Sequence, residues 1–290
     1  MDTGSDLCHG VIKRLWDKYS INNDVSHIPH LNQKIVLEHI AIIDLGFGSS
    51  TRIELSKLFE YLGFEVKGHG CLPEKNNDFL WMCKKGSNES LPQDAYPQIV
   101  LGDFRIKTLN SDVRNIVEKY GSYQAKFDFD NLRSLMSKNL VSEAVDAVFS
   151  YLESKSWPLI TKEEYKLVEQ ENQLLAWVLM FGRTVNHFGL DIQFSTKYSN
   201  FSEFNQEIQN ISNYEYGHVK GSKSVGIEQS SSLGKVTSSN GINVPVRGPF
   251  LEFVWRYPTK DNPVLWCDYY RGFLPNNANK IIESVYLFLT

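Results

Sequence analysis

The chain has 290 residues, of which 42% are hydrophobic and 22% charged, with a net charge of −4 and a pI near 6.0. That allows a large core, built as one extended domain or two small ones. The acidic balance argues against a nucleic-acid partner, which favours a basic face, and no apolar run reaches the roughly 20 residues that span a bilayer. MDTGSDLCHG lacks a basic-then-apolar leader pattern, and Cys8, Cys71, Cys83 and Cys267 form no CxxC pair, so a cytoplasmic location with reduced thiols is expected.

The first element reads as a helix, with Val11, Ile12, Leu15, Trp16 and Tyr19 at three- and four-residue steps. A polar loop with His27, Pro29 and His30 leads into a strand-like run from Ile35 to Ile43. Thr51 and Glu54, in capping-box spacing, start a second helix that carries Leu55, Leu58, Phe59 and Leu62 and stops at Gly63. Phe64 to Gly68, Phe79 to Cys83 and Gln98 to Arg105 read as three further strands. From about Asn110 to Gly182 the chain is mostly helical, with helices around Val113–Val117 and Val141–Val148, a break at Trp157-Pro158, and a helix over Glu171 to Phe181. The opening pattern then recurs: a strand holding His187, a helix from about Ser202 with Phe204, Ile208 and Ile211, short strands near Ser224–Glu228 and Lys235–Thr237, and a last strand from Phe250 to Arg256.

The expected fold class is therefore α+β, with two β-α-β-β-β modules forming a cupped mixed sheet. Residues 1–34 are a helix and loop, 35–109 the first module, 110–182 a helical insert, and 183–290 the second module with a C-terminal helix, all in one integrated domain. Spacing supports the repeat. His187 lies 65 residues before Glu252, and His39 lies 64 residues before Asp103, which places Asp103 near the position of Glu252.

His39 in LEHIAIIDL, His187 in TVNHFGLDI and Glu252 in GPFLEFVWR stand inside apolar strands, where an unpaired ionisable group is costly. A shared metal supplies the reason, because two imidazoles and one carboxylate form the facial triad of non-haem Fe(II). Asn186 is placed to orient a neighbouring group. Asp103 reads as a polar supporting contact, with Arg105 beside it. A lone strand histidine is commonly a satisfied core residue, and Glu252 alone reads equally as a solvated carboxylate. His27, His30, His69 and His218 read as loop or strand-end residues, and Phe188, Phe250 and Phe253 as core.

A β-α-β-β-β unit used twice resembles the vicinal-oxygen-chelate fold. EHIAI at Glu38, NDFLW at Asn77, GDFR at Gly102, VNHF at Val185, EQSS at Glu228, EFVWR at Glu252 and NANKIIESVY at Asn276 together resemble the iron-dependent 2-oxoadipate dioxygenase/decarboxylase family, the hydroxyglutarate synthases, from about Leu37 to Tyr286. The resemblance implies Fe(II) held by His39, His187 and Glu252. It also implies a 2-oxo acid and O2 as the small molecules bound, and oxidative decarboxylation with hydroxylation of the same substrate, 2-oxoadipate giving 2-hydroxyglutarate. Arg105, Arg247, Gln229 and Ser230 are the candidate substrate contacts, and Arg183 and Arg256 are further cations. The family's substrate-holding arginine, four residues after the first metal histidine, is Ile43 here. A redox-neutral glyoxalase-like lyase, isomerase or hydrolase and a metal-free binding protein are the alternative readings.

Overall fold

The computed structural model describes residues 3–23, 25, 28, 36–195, 197–210, 219–238 and 244–274. Ten strands are present among them: β1 (Leu37–Ile43), β2 (Phe64–Leu72), β3 (Asn77–Lys84), β4 (Gln98–Phe104), β5 (His187–Asp191), β6 (Lys220–Ser222), β7 (Ile227–Ser231), β8 (Val236–Ser238), β9 (Pro245–Arg247) and β10 (Phe250–Arg256). Eight form one mixed sheet in the order β2-β3-β4-β1-β5-β10-β7-β6, and β8 pairs with β9 apart from it. Each half is a β-α-β-β-β module: β1 runs parallel to β4 and β5 parallel to β10, while β1 and β5 meet antiparallel. At that seam Ile40 faces Phe188, His39 faces Gly189 and Ala41 faces His187. A local two-fold through the Ile40–Phe188 pair therefore exchanges the two histidines.

Both faces of the sheet are covered, which is why β1 and β5 read as unbroken apolar runs rather than alternating ones. On one face α1 (Thr3–Asn23), α2 (Arg52–Tyr61) and α8 (Phe201–Gln209) pack on Ile40, Ile42, Phe188, Leu190, Leu251 and Phe253. Trp16 and Tyr19 of α1 set their rings 5.2 and 5.1 Å from that of Phe188, so the residue on the two-fold also anchors the first helix. Thr51 caps α2, its hydroxyl accepting from the Glu54 amide at 3.2 Å, while the Glu54 carboxylate turns to Lys57 instead of closing the box. Gly63, at φ 87°, ends that turn.

The segment between the modules holds five helices, more than its periodicity suggested: α3 (Ser111–Gly121), α4 (Phe129–Ser137), α5 (Val141–Leu152), α6 (Lys162–Glu171) and α7 (Gln173–Phe181). The helix expected over Glu171 to Phe181 is the end of α6 and all of α7. Asn172 breaks the run because its side chain caps α7 by accepting from the Leu175 amide. α4 and α5 join α1 on the outer face, whereas α3, α6 and α7 close one end of the inner face around Ile43, Leu72, Phe79 and Phe104.

Other expectations shift. The second module's outer strands are β6 and β7, not the runs at Ser224–Glu228 and Lys235–Thr237. The latter run belongs to the β8–β9 hairpin, which is inserted between β7 and β10. His69 sits within β2 and is exposed; its flanking Gly68 and Gly70 lie under the rings of Trp81 and Phe79, where a Cβ would approach within 2.2 and 2.3 Å. Ile35, His27, Pro29, His30, Ile211, His218 and the segment expected to be a C-terminal helix lie outside the described residues.

Candidate metal centre

β1 delivers His39 to the inner face, β5 delivers His187, and β10 delivers Glu252, which pairs across to Gly189. One ligand atom from each lies within 4.8 Å of the others. The Glu252 carboxylate bridges the pair, with Nε2 of His39 and Nε2 of His187 each 3.4 Å from one of its oxygens. Gly189 makes this possible. The His39 ring lies across it, and a Cβ there would come within 2.1 Å of Nδ1. The His187 ring stacks on Phe250 at 4.7 Å.

Both imidazoles are held by the residue that precedes them. His39 Nδ1 lies 2.5 Å from Glu38 Oε2, and His187 Nδ1 lies 2.8 Å from Asn186 Oδ1. Each acceptor fixes a proton on Nδ1 and leaves Nε2 to face the centre. Glu38 reaches its place through a β-bulge: the β1–β5 register shifts between Leu37 and His39, which turns two consecutive side chains to one side. The Glu38 carboxylate also accepts from Arg256 Nε at 2.7 Å and Gln98 Nε2 at 3.0 Å, and Arg271 approaches it at 3.5 Å. Gln229 Nε2 donates to Glu252 Oε2 at 3.1 Å.

The charges follow from this wiring. Burial pulls the His39 pKa down, yet hydrogen bonds to Glu252 and Glu38 carry it up to about 9. At His187 burial prevails over the attraction of Glu252, and the pKa falls to about 4. Burial raises both carboxyl groups, but His187 and His39 bring Glu252 below its ordinary value, and Arg256 with His39 holds Glu38 well below. The pocket is thus one anionic carboxylate between two ring nitrogens, one of which carries a proton that a cation would displace. This donor set fits a divalent first-row metal, with two nitrogens, one anionic oxygen, and room on the cleft side for further ligands.

That cleft runs from the histidines along β1 and β4 toward β3. Ile43, Leu72, Phe79 and Val100 line it, and Phe273 and Leu274 lie over it. Phe273 meets His39 edge-on at 5.4 Å. Arg256 donates to the carbonyls of Tyr270 and Gly272 at 2.8 Å each, so the guanidinium that holds Glu38 also holds the segment carrying Phe273.

Of the other residues singled out in the sequence, Asn186 and Gln229 stand beside the centre as described. Asp103 does not. The register places Val100 at the position related to Glu252, and Asp103 faces the opposite side, bonded to the Arg52 side chain and, at 3.0 Å, to the Arg52 amide. The near-equal intervals misled because each half spends its residues on different loops. Ser230 also faces away, its hydroxyl donating to Asn205 Oδ1 of α8 at 2.8 Å, because its neighbours Ser231 and Gln229 share the face of Glu252. Arg105 pairs with Asp78 at 3.3 Å and Arg247 donates to the Gly234 carbonyl at 3.1 Å; neither lines the cleft. Arg183 is buried against Asp44 at 2.6 Å, away from the cleft lining. The sequence reading passed over the roles of Glu38 and Gly189 and of the Phe273 segment. The parallel between EH at Glu38 and NH at Asn186 was the available signal.

Comparison with known proteins agrees with this fold. The family model for 2-oxoadipate dioxygenase/decarboxylase matches residues 6–239. A chloroplastic 2-oxoadipate dioxygenase/decarboxylase from Arabidopsis thaliana is 21% identical over 272 residues, covering 88% of this chain and 69% of the relative. The crystal structure of the hydroxyglutarate synthase from Oryza sativa in complex with 2-oxoadipate has a TM-score of 0.79 at 21% identity, covering 98% of this chain and 94% of that one. A protein assigned to the glyoxalase superfamily from Ralstonia eutropha JMP134 gives 0.76 at 12% identity, over 92% and 85% of the two chains.

Proposed function

Since the chain belongs to the 2-oxoadipate dioxygenase/decarboxylase family, we propose that it is a mononuclear Fe(II) dioxygenase that decarboxylates and hydroxylates a 2-oxo acid. The observation that carries this reading is the convergence of His39, His187 and Glu252 at the wall of a cleft. These three residues would hold the metal. Bound there, Fe(II) supplies coordination positions for the carboxylate and keto oxygens of a 2-oxo acid and for O2.

The remaining work falls to the protein. Glu38 and Asn186 fix the tautomers and aim Nε2 of each histidine. Glu252 contributes the anion that offsets part of the dication's charge, and Gln229 steadies one of its oxygens. Phe273 and Leu274, with the apolar floor, exclude water from the reacting end. In the overall reaction the C1–C2 bond of the acid breaks and CO2 leaves. One oxygen atom of O2 completes the new carboxylate at the former C2, and the other becomes a hydroxyl on the former C3. With 2-oxoadipate, the acid in the relatives' names, the product is 2-hydroxyglutarate. The cytoplasm is the proposed compartment, in keeping with four cysteines that all remain free thiols.

The test is oxygen uptake and CO2 release by anaerobically Fe(II)-loaded protein across a panel of 2-oxo acids. Matched consumption and release with at least one acid is expected. Turnover of a substrate without O2 uptake would move the protein to the redox-neutral glyoxalase-like class, and failure to retain any divalent metal would remove it from both.

A further inference from the structure

We propose that this cleft selects a 2-oxo acid whose far end is an uncharged aliphatic chain, not a second carboxylate; the inference rests on the dioxygenase reading above. Beyond the metal-facing residues, the lining is Ile43, Leu72, Phe79, Val100, Phe273 and Leu274, with Ala41 and Gly102 between them. Among the described residues no lysine or arginine lines it. Neighbouring cations are turned to other partners. Arg105 pairs with Asp78 and Arg52 with Asp103 on the far face, while Arg183 pairs with Asp44, Arg256 with Glu38, and Arg271 lies 3.5 Å from Glu38 and over the Trp266 ring.

Charge decides what this space can hold. The reacting carboxylate of a 2-oxo acid meets the dication, but among the described residues a second carboxylate further along β1 meets hydrocarbon and one neutral amide. Ile43 stands four residues beyond His39 on the same face, about 13 Å along the strand. The amide is Asn77, buried, with an Nδ2 that has no hydrogen-bond partner and stands over Gly102, whose missing side chain leaves it room. One neutral donor satisfies one of the several acceptor sites of a carboxylate and none of its charge. An aliphatic tail instead buries apolar surface against Leu72, Phe79 and Phe273, and the Asn77 donor is left for a water or a neutral oxygen at the tail's end.

Two six-carbon acids that differ only at the far end test this: 2-oxohexanoate and 2-oxoadipate. With Fe(II)-loaded full-length protein, kcat/KM from oxygen uptake should favour 2-oxohexanoate at least tenfold. Titration calorimetry on O2-free, Mn(II)-loaded protein should give the same order of affinity. Ile43→Arg should reverse the order, and its metal content reports that the variant has folded. A preference below tenfold, or one for 2-oxoadipate, in the wild-type protein overturns the inference and leaves the dioxygenase reading standing. If neither these nor other 2-oxo acids bind or consume O2, the dioxygenase reading fails and the inference goes with it.

Discussion

The two halves of the sheet share a frame and divide the labour. Across the Ile40–Phe188 two-fold, His39 matches His187, and Glu38 matches Asn186 as the acceptor behind the ring. The correspondence then breaks. Glu252 in the second half stands where the first has Val100, and among the described residues the apolar cleft opens beside the first. At the opposite end, where β5 finishes, the space related to the cleft is filled by Arg256, Arg271, Glu38 and Asp191. The second half therefore supplies the anion, groups from both halves fill the space beside β5, and the first half supplies the void. Among the described residues the cleft therefore reaches the proposed metal centre from the side where Ile43 rather than Asp191 ends its strand.

Moving the carboxylate should have the largest effect. Glu252→Gln keeps the volume and removes the anion. Metal content should fall to background, and oxygen uptake should drop by more than the roughly 10–100-fold that loss of a supporting partner causes, while a cooperative melt shows that the fold persists. Adding Val100→Glu to that variant should restore measurable metal binding from the related position. No recovery would mean that the two-fold does not extend to the third ligand.

The two acceptors should differ next. Glu38→Gln leaves Arg256 and Arg271 with a neutral partner in a buried site, so a loss of about 3–5 kcal/mol is expected in denaturant unfolding. Asn186→Ala removes one neutral hydrogen bond and should cost about 1 kcal/mol. Equal losses would show that the charge at Glu38 does no more than the amide at Asn186.

The seam residues sharpen the same contrast. Gly189→Ala drives a methyl into the His39 ring and should cost about 1–3 kcal/mol together with metal affinity, read by melting and by metal titration. Ala41, its partner across the two-fold, already carries a methyl beside His187, so Ala41→Gly should leave metal affinity within twofold.

Asp191→Asn should give the smallest effect. Burial pushes this carboxyl well above its ordinary range, so folding takes up a proton and stability falls as pH rises from the unfolded value toward the folded one. The amide removes that penalty. The variant should melt a few degrees higher near pH 7 and match the wild type below about pH 4. A lower melt near pH 7 would instead show Asp191 working as a charged partner of Arg256 and Arg271.

The modules and both histidines were legible because periodicity, β-branched runs and an ionisable residue in an apolar strand are local signals. Register is not local. Whether Ser230 or Ser231 faces Glu252 depends on one pairing between β7 and β10, and a shift of one residue exchanges them. The match of Asp103 to Glu252 counted residues through loops whose lengths carry no geometric information. Glu38 was hidden because a strand without a bulge would point it away from His39. Phe273 reaches the cleft from far along the chain, and no pattern around it announces that contact.

The two-fold through Ile40 and Phe188 also has a consequence for inheritance. The proposed ligands sit on β1, β5 and β10, while much of the wall that sorts one acid from another belongs to β2, β3 and β4 and the Phe273 segment. Single-codon changes at Leu72, Asn77 or Phe79 can alter that wall and leave all three ligands in place. A lineage carrying this fold can therefore change its diet one residue at a time while its catalytic chemistry passes on intact.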